Sequence, residues 1–181
     1  MFDDTRSKKL IVLSHCILNQ NAKLDRCAHH QGAVSAVVQA LLEHGIGIIQ
    51  MECPELLYLG LDRETDRSAR PSVAEEDTRI AQRMRDPQAQ AIIEAITGNV
   101  IRQIEEYRRN GFEVLGIVGI NGSPTCGVET NWQDGHEPAG PGFLIAALTG
   151  QLATLGVTIP VRGIKSANVE QALGAVLELI E

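Results

Sequence analysis

"PQAQAIIEAITGNVIRQIEEYRRNG" (87–111) runs into "FEVLGIVGI" (112–120) and then into "NGSPTCG" (121–127). In the first stretch Ile92, Ile93, Ile96, Val100, Ile101, Ile104 and Tyr107 recur at helical spacing, and Asn110-Gly111 ends it. That pattern predicts a long amphipathic helix with a left-handed stop. The second stretch is short, apolar and without helical period, which reads as a buried strand. The third is a sharp turn that carries a thiol just past the strand's end.

Outward from this unit the same alternation recurs. "KKLIVLSH" (8–15) reads as a strand, residues 19–31 as a polar loop, and "GAVSAVVQALLEH" (32–44) as a helix with Val34, Val37, Val38, Leu41 and Leu42 on one face. Gly45 is a stop signal, and "GIGIIQM" (45–51) is a second strand. Residues 53–87 carry scattered charge with Pro54, Pro71 and Pro87, and read as an irregular excursion holding a helix around 74–85. Downstream come a long loop (121–139), a helix (141–156), a strand "TIPVRGI" (158–164) and a closing helix (168–181). Strands alternating with helices predict an α/β fold: a Rossmann-like open parallel sheet of about four strands with helices on both faces. A length of 181 residues suits one domain, 1–181. The excursion is too long for a plain connection, so it is expected to cover a site.

Composition excludes several classes. The chain is 3% aromatic and carries 16 Lys+Arg against 23 Asp+Glu, a formal charge of -7. Neither stacking surface nor basic field favours a nucleic-acid polymer as partner. No apolar run is long enough for a membrane span, and the charged start "MFDDTRSKK" is not expected to act as a signal peptide. The expected compartment is cytoplasmic, where four cysteines are better read as metal or catalytic than as disulfides.

Cys16, Cys53 and Cys126 each lie just past a predicted strand. In an open parallel sheet these are carboxyl ends, which share the ligand-binding edge. Three cysteines far apart in sequence are therefore expected to converge. Soft sulfur suits zinc, copper(I) or an iron–sulfur cluster, and the close pairs usual in structural zinc sites are missing. Three thiolates would leave one iron of a cubane open as a Lewis acid; Cys27, His15 or His136 are the alternatives for a fourth ligand. Cys27, in the polar loop, is read as a bystander. His29-His30 is read as part of that loop, and Arg63, Arg67 and Arg70 as solvated surface arginines.

"LSHCILNQNAKLD" (13–25), "CPELLYLG" (53–60) and "GSPTCG" (122–127) together resemble the signature segments of the thiouracil desulfidase-related iron–sulfur family. "NWQDG" (131–135) and "GPGFLIAAL" (140–148) continue the likeness more weakly. The resemblance implies a 4Fe-4S cluster on Cys16, Cys53 and Cys126. It implies redox-neutral removal of sulfur from a small thiolated substrate, with water attacking the thiocarbonyl carbon and hydrosulfide leaving. It also implies Glu55 and Ser123 as the groups that handle protons. His15, Thr125 and "LLYLGLDRE" (56–64) depart from the family pattern, which marks a divergent member with its own substrate pocket. Two other readings use the same cysteines: a non-enzymatic iron–sulfur or metal-binding sensor or carrier, and a metal-free thiol enzyme with Cys16 or Cys126 as nucleophile.

Overall fold

The computed structural model describes residues 2–181. Four strands, β1 (Lys9–Ser14), β2 (Gly47–Met51), β3 (Glu113–Ile120) and β4 (Val161–Ile164), form one sheet in the order β2-β1-β3-β4. Every pairing is parallel. The expected α/β architecture, with its four parallel strands and surrounding helices, is borne out. From Leu10 onward β1 is buried at every position, and β3 is almost as fully buried. Helices cover both faces, so both sets of alternating side chains must be apolar.

The helices are α1 (His15–Leu18), α2 (Ser35–Glu43), α3 (Pro54–Leu59), α4 (Val73–Arg83), α5 (Pro87–Arg109), α6 (Phe143–Thr154) and α7 (Val169–Ile180). α2 packs with α7, and α5 with α6. The chain steps from β1 to β2 in one direction and then returns past β1 to β3. Right-handed crossovers therefore put α2 on one face and α5 on the other. The strand order reverses between β1 and β3, and the carboxyl ends there are where such sheets hold ligands.

Two local expectations need correction. Leu42 is 66% exposed, although the sequence places it on the apolar face. α2 begins only at Ser35, and its buried positions are Val37, Ala40 and Leu41, with Val34 at its cap. Leu42 lies about 100° further round the helix from Leu41. The excursion is also more regular than expected. Pro54 opens α3 with Cys53 at its N-cap, where a missing N–H costs nothing. Ser72 and Glu75 form a reciprocal capping box at the start of α4. Leu59, Ile80, Met84 and Ala89 give this segment a small apolar core of its own. Among the described residues no helix is long and apolar enough to cross a membrane.

Candidate active site

The segments that follow β1, β2 and β3 meet around a cavity of about 380 Å³, lined by Cys16, Cys53 and Cys126 together. The three cysteines that follow strand ends thus line one cavity. Cys16 sits in α1, directly after β1, and Cys53 precedes α3. Cys126 is held by a dense loop. Ser123 Oγ accepts the N–H groups of Thr125 (3.2 Å) and Cys126 (3.1 Å). Asn121 Oδ1 accepts those of Val128, Glu129 and Thr130 at 3.2, 3.1 and 3.4 Å.

Backbone presses on backbone here. A Cβ on Gly119 would stand 2.2 Å from the carbonyl oxygen of Cys126, which itself accepts Ile120 N–H at 2.8 Å. Neither partner can yield without moving the cysteine. Gly119→Ala is therefore expected to cost about 1–3 kcal/mol and to lower the melting temperature by several degrees. An unchanged melting curve would contradict this account of the loop.

Burial pushes the thiols of Cys16, Cys53 and Cys126 up to about 12. Each is also raised by the charge of another of the three, so they lie within electrostatic reach of one another. At neutral pH they are protonated unless a cation displaces the proton.

Glu55, in the first turn of α3, points at the Cys126 loop. Its Oε1 accepts Thr125 Oγ1 at 2.6 Å, and Thr125 Oγ1 lies 3.2 Å from Ser123 Oγ. Ser123, Thr125 and Glu55 thus form one chain of hydroxyls ending on a carboxylate. Thr125, read in sequence only as a departure, is the link between the two expected residues. A threonine after proline in a turn carries no signal of such a role.

Other expectations fare differently. Arg67 and Arg70 are exposed, but Arg63 is not a surface arginine: it is 1% exposed. Its Nε stands 3.5 Å from Glu55 Oε2 and its Nη2 3.8 Å from Cys53 Sγ. Cys27, read as a bystander, lines the same cavity, as does His29. The loop folds back onto the site because Gln20 N–H donates to Gly32 O and Gln20 Oε1 accepts His29 N–H. His15 lies outside the cavity lining and pairs its Nδ1 with Gln50 Nε2 at 2.9 Å. His136 is exposed in a turn and does not line the cavity.

Asp77, on α4, was not singled out from the sequence. It lines the cavity, and burial, helped by the charge of Glu55, pushes its carboxyl up to about 7. An acidic residue in a charged helix gives no hint of this until the helix is folded over the site.

Among the described residues no three His, Cys, Asp or Glu side chains converge closely enough to grip a single metal ion. All four cysteines are free thiols.

No family model matches the chain. The uncharacterized protein MJ0003 of Methanocaldococcus jannaschii is 31% identical over 126 residues, which are 70% of this chain and 72% of the archaeal one. The chain belongs to the same family as this archaeal protein. Among solved structures it is similar to the 4Fe-4S-dependent thiouracil desulfidase TudS. The TM-score is 0.50 and the identity 20%, over 93% of this chain and 99% of that one. The two share a fold from end to end. The fold expected from the resemblance of the three cysteine segments is thus the fold of a solved structure.

Proposed function

We propose that this protein is a 4Fe-4S-dependent desulfidase that removes sulfur from a small thiolated compound of the thiouracil kind by redox-neutral hydrolysis. One observation carries the reading: cysteines from three separate strand ends line a single cavity beside Glu55. The likeness in fold to TudS agrees with it. The donor set suits a cluster: three soft sulfurs from three strand ends, in surroundings that favour the neutral thiol until a cation displaces the proton. Cys16, Cys53 and Cys126 would hold it. When bound, such a cluster supplies an iron with affinity for sulfur, which makes a thiocarbonyl carbon more electrophilic.

The chain's own groups then have definite tasks. Thr125 pins Oε1 of Glu55, which leaves Oε2 to take the proton of the attacking water. Ser123 Oγ is filled as an acceptor by two backbone amides, so its own proton turns toward Thr125 Oγ1. That arrangement gives a proton a route from Ser123 through Thr125 to Glu55. Asp77, neutral below about pH 7, has a proton to donate to a substrate heteroatom. The reaction balances without a redox partner: thiocarbonyl plus water gives carbonyl plus hydrosulfide and one proton. A cavity of about 380 Å³ is at the small end for ligand sites and matches a single heterocycle better than a polymer.

The test is anaerobic incubation of reconstituted protein with a panel of thiouracils and thioamides. Sulfide and the oxygenated product are expected in equal amounts from at least one of them. Iron-loaded protein that releases no sulfide from any would overturn the enzymatic reading and leave a sensor or carrier.

A further inference from the structure

Among the described residues Arg63 is the most deeply buried charged side chain, and packing alone does not account for it. Its Nη1 donates to Gly60 O at 2.6 Å and to Leu61 O at 3.3 Å, and its Nη2 to Ala22 O at 2.6 Å. Those bonds staple the excursion to the loop after β1. They do not use Nε, which is buried without a hydrogen-bond partner and faces Glu55 Oε2 at 3.5 Å. The second nitrogen, Nη2, also turns toward Cys53 Sγ, 3.8 Å away.

The backbone is bent to make this possible. Arg63 and Glu64 both adopt left-handed conformations, with φ of 58° and 56°, a region that non-glycine residues rarely occupy. A buried guanidinium is costly to desolvate unless a counter-charge offsets it. Carbonyl staples alone do not require a charge, since a neutral donor would serve.

We propose that Arg63 is a positioning residue for the cofactor and for Glu55, supplying a fixed positive charge beside the Cys53 sulfur and the Glu55 carboxylate. The proposal rests on the reading of Cys16, Cys53 and Cys126 as cluster ligands. A cluster on three thiolates next to a carboxylate would collect negative charge at a site that solvent reaches only in part. A guanidinium against one ligating sulfur offsets that charge. It also favours the reduced, more negative state, and so raises the reduction potential. Guanidinium is the suitable cation, because its planar fork reaches a sulfur, a carboxylate and three carbonyls at once.

The experiment compares wild type, Arg63→Gln and Arg63→Lys after anaerobic reconstitution. For each, the melting temperature, iron per chain and midpoint potential are measured, the last by a titration followed by absorbance and paramagnetic resonance. The expected result is a graded fall in potential among iron-loaded variants, larger for glutamine than for lysine. Lysine keeps the charge but is shorter and lacks the fork. A merely structural role would lower the melting temperature and leave the potential where it was. A wild-type potential in folded, loaded Arg63→Gln would overturn the proposal, and Arg63→Met takes its place if Arg63→Gln does not fold. Failure of wild type to take up iron would instead overturn the cluster reading, and Arg63's role with it.

Discussion

Glu55→Gln is expected to keep its iron and lose sulfide release, with kcat falling by about 10²–10⁴-fold. The substitution is nearly isosteric. Its amide oxygen still accepts Thr125 Oγ1, the 2.6 Å bond that ties α3 to the Cys126 loop, so the three cysteines keep their places. The variant loses a carboxylate oxygen able to take a proton from water, and its side chain then carries an amide where Oε2 faced Arg63. Substrate binding depends on the cavity walls, so KM is expected to change far less than kcat. Iron content, spectrum and single-turnover sulfide release together check this. Full sulfide release by the glutamine variant would remove Glu55 from proton transfer. Loss of iron would show it to be part of the cluster's support instead.

Asp77→Asn is expected to stabilise the protein at pH 8 and to do little at pH 4. Burial and the neighbouring charges of Glu55 and Glu76 raise the Asp77 carboxyl from 3.8 to about 7, while Lys23 works against them. Between those values the folded state binds a proton that the unfolded state has released, so stability falls as pH rises from about 4 to 7. Above pH 7 the full penalty of a buried carboxylate is present. Full linkage corresponds to about 4 kcal/mol, and the carboxyl's partial exposure reduces this to roughly 2–3 kcal/mol. Asparagine has no charge to bury and removes the dependence. Denaturant unfolding of both proteins at pH 4, 6 and 8 measures it. Parallel stability–pH curves for the two would contradict the burial of this carboxyl. A group that carries such a cost at the cavity wall fits a site that needs a neutral acid near neutral pH.

The centre of the sheet was legible because β1 and β3 are buried on both faces. "LIVL" and "VLGIVGI" leave no ambiguity between strand and amphipathic helix, and α5 declares itself through seven apolar residues at helical spacing. The cysteines were legible because parallel strands put all their carboxyl ends on one edge, so position after a strand predicts position in space. Shorter-range information ran out in the excursion. α3 is only six residues long, too short for periodicity to register, although the Ser72–Glu75 capping box of α4 was there to be read. Arg63 was misjudged for a related reason. A charged residue among charged neighbours has the statistics of a surface residue. Only the left-handed turn at Arg63 and Glu64 carries its side chain inward. Thr125 and Asp77 acquire their surroundings from segments tens of residues away, so no local pattern marks them. Cys27 reaches the cavity because the loop after β1 is pinned by Gln20, an arrangement with no signature in composition.

The central claim is that Cys16, Cys53 and Cys126 together hold a cluster. The most direct test is anaerobic reconstitution with iron and sulfide of wild type and of a variant with all three replaced by serine. Iron content and visible absorbance are the readouts. Wild type is expected to turn brown with about four irons per chain, and the triple variant to stay colourless while keeping its fold. A wild-type protein that takes up no iron, or a serine variant that binds as much, would contradict the account.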